Sequence, residues 1–340
     1  MPTRERLPVL GYGAANLGNL HRALTEEEAT AILEAAWECG IRHFDTAPHY
    51  GLGLSERRLG AFLRDKPRDE YTLWTKVGRL LRPNPGGAGE MDVANDFHVA
   101  ASLRREWDFT EAGIRASLAE SLNRMGLDRV DVLYLHDPDR YDLEVALNEA
   151  IPALEHLRAE GEVGAIGVGS MSSAALTAAV QASRLDVVMV AGRYTLLEQP
   201  AEVDVFPACR AQGTKVVAAS IFNSGILAKN DPDPSDRYEY GALPPDVWDR
   251  LQRIRSVCRE SGVSLPAAAV QFPLRHALVE SVVVGASRPE QLHRTVELMA
   301  SEIPEGFWDA LSFVAPARHA PPGPRADGGW DPRNDASLVR

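Results

Sequence analysis

The feature that most limits what this chain can fold into is a regular alternation. Short runs rich in Val, Ile and Leu are each followed by a longer stretch with helical periodicity, and the pair recurs eight times. The runs fall at residues 9–12, 41–46, 71–77, 130–136, 163–168, 186–190, 215–219 and 281–284. Near-continuous apolar runs of this length suit parallel strands covered on both faces; a half-exposed antiparallel strand would alternate instead. Parallel strands need a crossover between them, and the helical stretches supply it. Eight such units predict the α/β class and a closed (β/α)₈ TIM barrel. An open, doubly wound sheet would instead require GxGxxG after an early strand. Gly11 and Gly13 are followed only by Gly18, and Gly164, Gly167 and Gly169 fail the spacing too.

The helices carry readable starts and stops. Thr25 with Glu28 forms a capping box before residues 29–39. Ser55 precedes 56–63, Thr110 caps a helix to 125, Ser172 one to 183, and Ser264 one through 271. Ser287 with Glu290 opens a helix over 288–299. The stretch 144–160 stops at Gly161, a C′ glycine, with Pro152 expected to perturb its middle. Residues 201–212 and 245–261 read as two further helices. Three segments lie outside the repeating units: 78–108, 221–243 and the Pro/Gly-rich tail from 315. The first two follow strands, which puts them on the catalytic face of a barrel. One barrel domain is expected over 1–314, with 315–340 as a tail that frays or covers the pocket.

Composition narrows the function. The 340 residues carry a net charge of −12, a poor match for a phosphate backbone, so no nucleic-acid partner is expected. Cys39, Cys209 and Cys258 are scattered and form no CxxC, which points to a reducing compartment. There is no signal-like apolar run at the start and no stretch of membrane-spanning length. A cytoplasmic protein acting on a small molecule is expected; oligomeric state is not legible.

The polar residues concentrate at strand ends. Asp45 ends the second run, in HFDTAPHYG, and Tyr50 follows in the loop. Lys76 sits near the end of the third, in TLWTKVG, and His136 closes the fourth, in DVLYLHDPD. Each alone has a bland reading: a turn cap, a packed ring, a snorkelling amine, a hydrogen-bonded imidazole. In a barrel, however, all C-terminal strand ends face one mouth, and these four would converge there. The chemistry is coherent. A free tyrosine, with a pKa near 10, is a poor proton-transfer group at neutral pH. An ammonium about 4 Å away contributes on the order of 4 kcal/mol at an effective dielectric of 20. That is enough to lower the phenol's pKa by up to about 3. Asp45 would orient Lys76, and His136 would hydrogen-bond the reacting oxygen. None of the four supplies a hydride, so a cofactor is implied. A metal-hydrolase alternative drawing on His43, Asp45, His49, His136 and Asp137 lacks an HxH pair and a third cluster, and no metal is expected.

With these residues in view, the chain resembles the aldo-keto reductase superfamily. The motif FDTAPHYG followed by Ser55-Glu56, the Lys76 strand, LHDPD, AIGVGS and VVVGASRPEQL continue in order over roughly residues 8–300. The resemblance implies the barrel, a nicotinamide cofactor, and Asp45, Tyr50, Lys76 and His136 as a catalytic tetrad. APHYGLGLSERRLG, VGRLLRP, AGRYTLLEQ and FNSGIL make it most similar to the aldose dehydrogenase branch, which includes D-threo-aldose, L-fucose and L-galactose dehydrogenases, with pyridoxal dehydrogenase nearby. That implies oxidation of an anomeric carbon to a lactone, with Tyr50 taking the hydroxyl proton. Reduction of aldehydes or ketones with NADPH is the alternative, and a non-catalytic cofactor-binding subunit is a third reading from another class.

The resemblance assigns the cofactor to Gly13, Ala14, Asp45, Ser170, Arg193, Ser220, Phe222, Asn223, Ser224, Gly225, Leu227, Gly285, Ser287, Arg288 and Gln291. Several of these depart from the common pattern. Gly169-Ser170 replaces Ser-Asn, Gly192-Arg193-Tyr194 replaces Asn-Gln-Tyr, and the ring that stacks on nicotinamide falls at Ala219, leaving Phe222 as a substitute. The Lys and Arg that clamp a 2′-phosphate read Ala286 and Gln291. Their loss tilts the expectation from NADP towards NAD, while Ser287 and Arg288, at a helix N-terminus, keep a phosphate site open. His49 and Trp107 are the expected substrate contacts, with Trp74, Arg193 and the 78–108 loop as further pocket pieces.

Overall fold

Val-rich segments with both faces covered do close into a barrel. The structure, a computed structural model, describes residues 9–239 and 241–311. Eight parallel strands close it: β1 (Leu10–Gly13), β2 (His43–Asp45), β3 (Thr72–Val77), β4 (Val132–His136), β5 (Ala165–Ser170), β6 (Val187–Ala191), β7 (Lys215–Ala219) and β8 (Val279–Gly285). Each pairs with its sequence neighbour, and β1 completes the ring by pairing with both β2 and β8. The helices are α1 (Glu26–Glu38), α2 (Leu54–Leu63), α3 (Glu111–Met125), α4 (Ile151–Glu160), α5 (Ser173–Ala182), α6 (Pro200–Gln212), α7 (Pro245–Glu260), α8 (Leu265–Gln271), α9 (Pro289–Ala300) and α10 (Glu305–Leu311).

Strand parity divides the core in two. Leu73, Leu133, Leu135, Val188, Val190, Val216, Val282 and Val284 face outward into a large cluster with the helices. Trp74, Val132, Tyr134, Val187, Met189, Val217, Ala219 and Val283 fill the barrel interior. Trp74 is thus barrel core, fully buried, and not a pocket wall. A third cluster under α7 and α8 packs Leu196, Ile226 and Tyr238 against Val247, Leu251 and Ile254.

The caps at Thr25, Thr110, Ser172 and Ser264 form as expected. Two others do not. Ser55 lies inside α2, which starts after Gly53, because its hydroxyl serves tertiary contacts instead. Ser287 does not cap α9; the Gln291 Oε1 atom accepts from the Ser287 and Arg288 amides. Pro152 acts as expected, just upstream of its own position. It offers no N–H and crowds the preceding turn, and the chain widens to a π turn over Ala146–Ala150, with Ile151 N–H reaching Ala146 O, before α4 begins. The 78–108 segment is not a structureless loop. Arg79–Pro83 and Leu103–Trp107 pair as an antiparallel hairpin after β3. A second, short hairpin pairs Arg237–Tyr238 with Gly241–Ala242. No helix among the described residues is long and apolar enough to cross a membrane. The tail from 315 lies outside the described residues.

Candidate active site

The inward parity of each strand ends at the mouth. On β2, β3 and β4 it ends in Asp45, Lys76 and His136. The adjacent loop brings in Tyr50. Two glycines make its placement possible. A Cβ on Gly18 would lie 2.6 Å from the Tyr50 carbonyl carbon, and one on Gly51, at φ 61°, would lie 2.2 Å from Gly18 O. The loop and the turn after β1 therefore touch through bare backbone. Ser55 staples the same contact: its Oγ donates to Ala14 O at 2.7 Å and meets Thr46 Oγ1 at 2.9 Å. Beneath it the buried Glu56 accepts from Thr75 Oγ1 and Arg124 Nε.

Lys76 is the hub. Its Nζ donates to Asp45 Oδ2 at 2.6 Å, to Thr46 O at 3.0 Å and to Tyr50 Oη at 3.1 Å. An ammonium has three donors, and all are used. Tyr50 Oη accepts from Lys76, so its own O–H is left for another partner. Burial works to lower the Lys76 pKa, but Asp45 and Tyr50 together carry it above its ordinary value. The Tyr50 phenol departs from the sequence expectation. Burial raises it, Lys76 pulls it down, and the net shift is upward. Burial outweighs the Lys76 charge, and the Asp45 charge pushes the phenol up further. Tyr50 in this site is a protonated donor at neutral pH.

His136 stands at right angles to Tyr50, ring centroids 5.9 Å apart. Burial holds its imidazole well below the ordinary histidine range, helped by the charges of Arg79, Lys76 and Arg105. It is a neutral ring that can donate or accept. His49 lies edge-on to His136 at 5.7 Å and is likewise held neutral by burial. Trp107 sits on the second strand of the hairpin, stacked with Tyr141 at 5.5 Å. His43, two residues deeper on β2, packs on Trp74 at 3.7 Å and takes no part in the mouth.

The other five strands end differently. Gly13, Gly169, Ala191, Ala219 and Gly285 occupy the inward positions at or next to the ends of β1, β5, β6, β7 and β8. Beyond β7, Ser220, Asn223 and Ser224 take φ values of 54°, 45° and 59°, followed by Gly225 at 93°. Left-handed backbone at non-glycine residues costs energy and persists only where the surroundings impose it, and here the Asn223, Gly225, Ile226 and Leu227 amides close successive turns onto Ser220, Phe222 and Asn223. The buried Asn223 Oδ1 has no hydrogen-bond partner among the described residues. A floor of small residues beside a strained loop fits a dinucleotide with a flat ring. Ala14 is buried against β1, and Leu227 is fully buried below the loop. Phe222 packs against both outer clusters. Ser170 Oγ donates to Asp139 Oδ1 at 2.6 Å, and Arg193 is tied to Met171 O, Glu198 and Glu239. The N-terminus expected to hold a phosphate has its Ser287 and Arg288 amides taken by Gln291. Sequence reasoning missed Arg22, whose Nη2 reaches Ser287 O at 2.9 Å. It also missed the ion pair of Arg79 with Asp137 beside His136.

Comparison with known proteins gives the family and the fold. A model of the Aldo/keto reductase family matches residues 9–314. A D-threo-aldose 1-dehydrogenase from Pseudomonas sp. is 64% identical, covering 90% of this chain and 93% of its own. A pyridoxal 4-dehydrogenase from Microbacterium luteolum is 35% identical over 89% of this chain and 92% of its own. Among solved structures, an aldo-keto reductase from Bacillus halodurans in its holo form superposes with a TM-score of 0.71 at 26% identity, covering 90% of this chain and 91% of that one. The protein therefore belongs to the aldo/keto reductase family and is an oxidoreductase that works with a nicotinamide cofactor.

Proposed function

We propose that this protein is an aldose 1-dehydrogenase, removing a hydride and a hydroxyl proton from the anomeric carbon of a sugar to leave a lactone. The observation that carries the reading is Lys76 Nζ bonded at once to Asp45 and Tyr50, in a mouth walled by His136. The 64% identity to a D-threo-aldose 1-dehydrogenase supports the substrate class. When bound, the nicotinamide supplies the hydride chemistry. Tyr50 Oη exchanges the proton. Lys76 orients Tyr50 through its third hydrogen bond and stabilises the phenolate as it forms, and Asp45 keeps Lys76 charged and aimed. His136, neutral, hydrogen-bonds the reacting oxygen. His49 and Trp107 contact the sugar. Gly13, Ala14, Ser170, Arg193, Gly285 and the strained loop from Ser220 to Leu227 hold the cofactor.

The upward shift of Tyr50 favours a second direction on the same site. A protonated phenol is ready to donate, so reduction of a carbonyl is the natural reaction near neutrality, and oxidation gains as pH rises. Two observations support NAD over NADP: Ala286 and Gln291 carry no charge, and Gln291 occupies the amides that a 2′-phosphate would use. Arg22 and Arg288 stand nearby, so both cofactors belong in the test. The initial rate of NAD⁺ and NADP⁺ reduction is measured against L-fucose, L-galactose, D-arabinose, pyridoxal and simple alcohols. Sugar-dependent NADH formation is expected. Silence on every sugar, with NADPH consumed by aldehydes, overturns the aldose reading.

A further inference from the structure

Asp137 follows His136 directly and is unlike the rest of the mouth. Its backbone is left-handed, φ 46°, a conformation that costs a non-glycine residue energy and persists only where its surroundings impose it. The surroundings are visible. Its N–H donates to Gly169 O at 2.8 Å, and its carbonyl accepts from Arg140 N at 2.9 Å. The turn aims the carboxylate back across the face of His136. Asp137 Oδ2 lies 3.5 Å from His136 Nε2 and accepts from Arg79 Nη2 at 2.8 Å. Arg79 reaches it from the hairpin, where it pairs in register with Trp107 and lies 4.3 Å from that ring's centroid.

The two partners are unequally covered. The Arg79 side chain is 7% exposed, whereas that of Asp137 is 24% exposed. Burying a guanidinium this far is costly, and an apolar pair would stabilise the hairpin as well or better. Within the 78–108 segment Arg105 pairs with Asp92, whereas Arg79 reaches out of it to the turn after β4. What the arrangement does provide is a fixed acceptor. Arg79 and His136 both approach Oδ2. A neutral imidazole N–H and a carboxylate oxygen thus stand side by side.

We propose that Asp137 is a specificity-determining residue, its carboxylate accepting a hydrogen bond from the hydroxyl on the carbon next to the reacting one, with Arg79 as its positioning residue. The ligand class is an α-hydroxy carbonyl or the corresponding aldose. The reacting oxygen meets Tyr50 and His136, and the neighbouring hydroxyl donates to Asp137. A plain aldehyde or a 2-deoxy sugar lacks that donor. The proposal rests on the carbonyl–alcohol chemistry assigned above but not on which sugar is used.

The test compares glyceraldehyde with propanal in the reduction direction, using wild type, Asp137→Asn and Asp137→Glu. Hydrogen bonds to a charged group are worth about 10- to 150-fold in selectivity. The wild type is expected to prefer glyceraldehyde in kcat/KM, and Asp137→Asn to reduce that preference by about that factor. Because the readout is a ratio, a partly misfolded preparation does not mimic the result. Asp137→Glu, which keeps the charge, and Arg79→Lys, which keeps a weaker anchor, are expected to fall between. An unchanged ratio in Asp137→Asn, or equal losses on both aldehydes, overturns the proposal. Failure of the aldose reading looks different: the wild type is inert towards every sugar yet still discriminates the two aldehydes.

Discussion

Strands β2 to β4 and the other five strands end at the same mouth with opposite kinds of side chain. The first three present Asp45, Lys76 and His136, all buried; Lys76 bonds Asp45 and Tyr50, and the His136 ring stands against that of Tyr50. The rest present Gly13, Gly169, Ala191, Ala219 and Gly285, with almost nothing beyond Cα or Cβ. A barrel gives each strand one inward position at its rim. Here one sector fills those positions with ionisable groups, and the other leaves them small, as the proposed nicotinamide site requires. The division teaches that the chemistry and the cofactor space are separate sequence decisions on one scaffold. Each can be broken without the other.

The largest effect comes from the charged sector. Tyr50→Phe keeps the ring and its packing but removes the exchangeable proton. Turnover on any accepted substrate is expected to fall by about 10²- to 10⁴-fold, the usual worth of a positioned general acid or base. Cofactor affinity, followed by fluorescence titration, is expected to hold, because Tyr50 lies in the sector the ring does not fill. A parallel loss of affinity would show that the two sectors are not separable.

The open sector is tested by filling it. A Cβ on Gly169 would sit 3.5 Å from Met189 Cβ and 4.0 Å from Lys76 Cε, which is ordinary contact, so Gly169→Ala fits. Gly169→Leu extends three further carbons over the floor. Overpacking of this kind costs about 1–3 kcal/mol, and if the ring lies there the cofactor Kd rises by about ten- to a hundredfold. The thermal midpoint, measured alongside, reports any strain of the leucine against Met189 and Lys76. Unaltered affinity in the leucine variant would mean that the small residues serve strand packing alone.

The same division explains what was legible in the sequence. Strands buried on both faces write their cores as contiguous apolar runs, so all eight could be read. Asp45, Lys76 and His136 stand at run ends, which parity and barrel geometry map to one rim. Arg79 could not be matched to Asp137, because they are 58 residues apart and meet only through a hairpin hidden in a polar segment. Ser55 misleads as a cap because its hydroxyl is used by Ala14 and Thr46, partners set by tertiary folding. The direction of the Tyr50 shift is not legible from a neighbouring lysine alone, because burial and the Asp45 charge both oppose Lys76. Gln291 was read as a lost cation, whereas its amide oxygen fills the helix N-terminus itself.

The charged sector also carries a liability that the open one lacks, and acid exposes it. His43 lies on β2 below Asp45, fully buried against Trp74, and neither ring nitrogen has a hydrogen-bond partner among the described residues. Burial, with a contribution from the Lys76 charge, takes its pKa down to about 3. An unfolded chain protonates this ring near 6.5, whereas the folded chain does not until far lower. The unfolded state therefore binds more protons throughout the interval, and stability fully present above about pH 6.5 drains away as pH falls towards 3. One such proton corresponds to about 1.4 kcal/mol for each pH unit once well below 6.5. His49 and His136, held neutral by the same burial, add slopes of the same sign. Denaturant unfolding of wild type and His43→Gln between pH 7.5 and 4.5, roughly the window around the free histidine value, measures the difference. The variant is expected to be less stable at the upper end, where it loses packing on Trp74, and to lose less on acidification. Parallel curves would mean that His43 finds a partner for its proton, such as water admitted beneath Lys76, and that the floor of the charged sector is wetter than its packing implies.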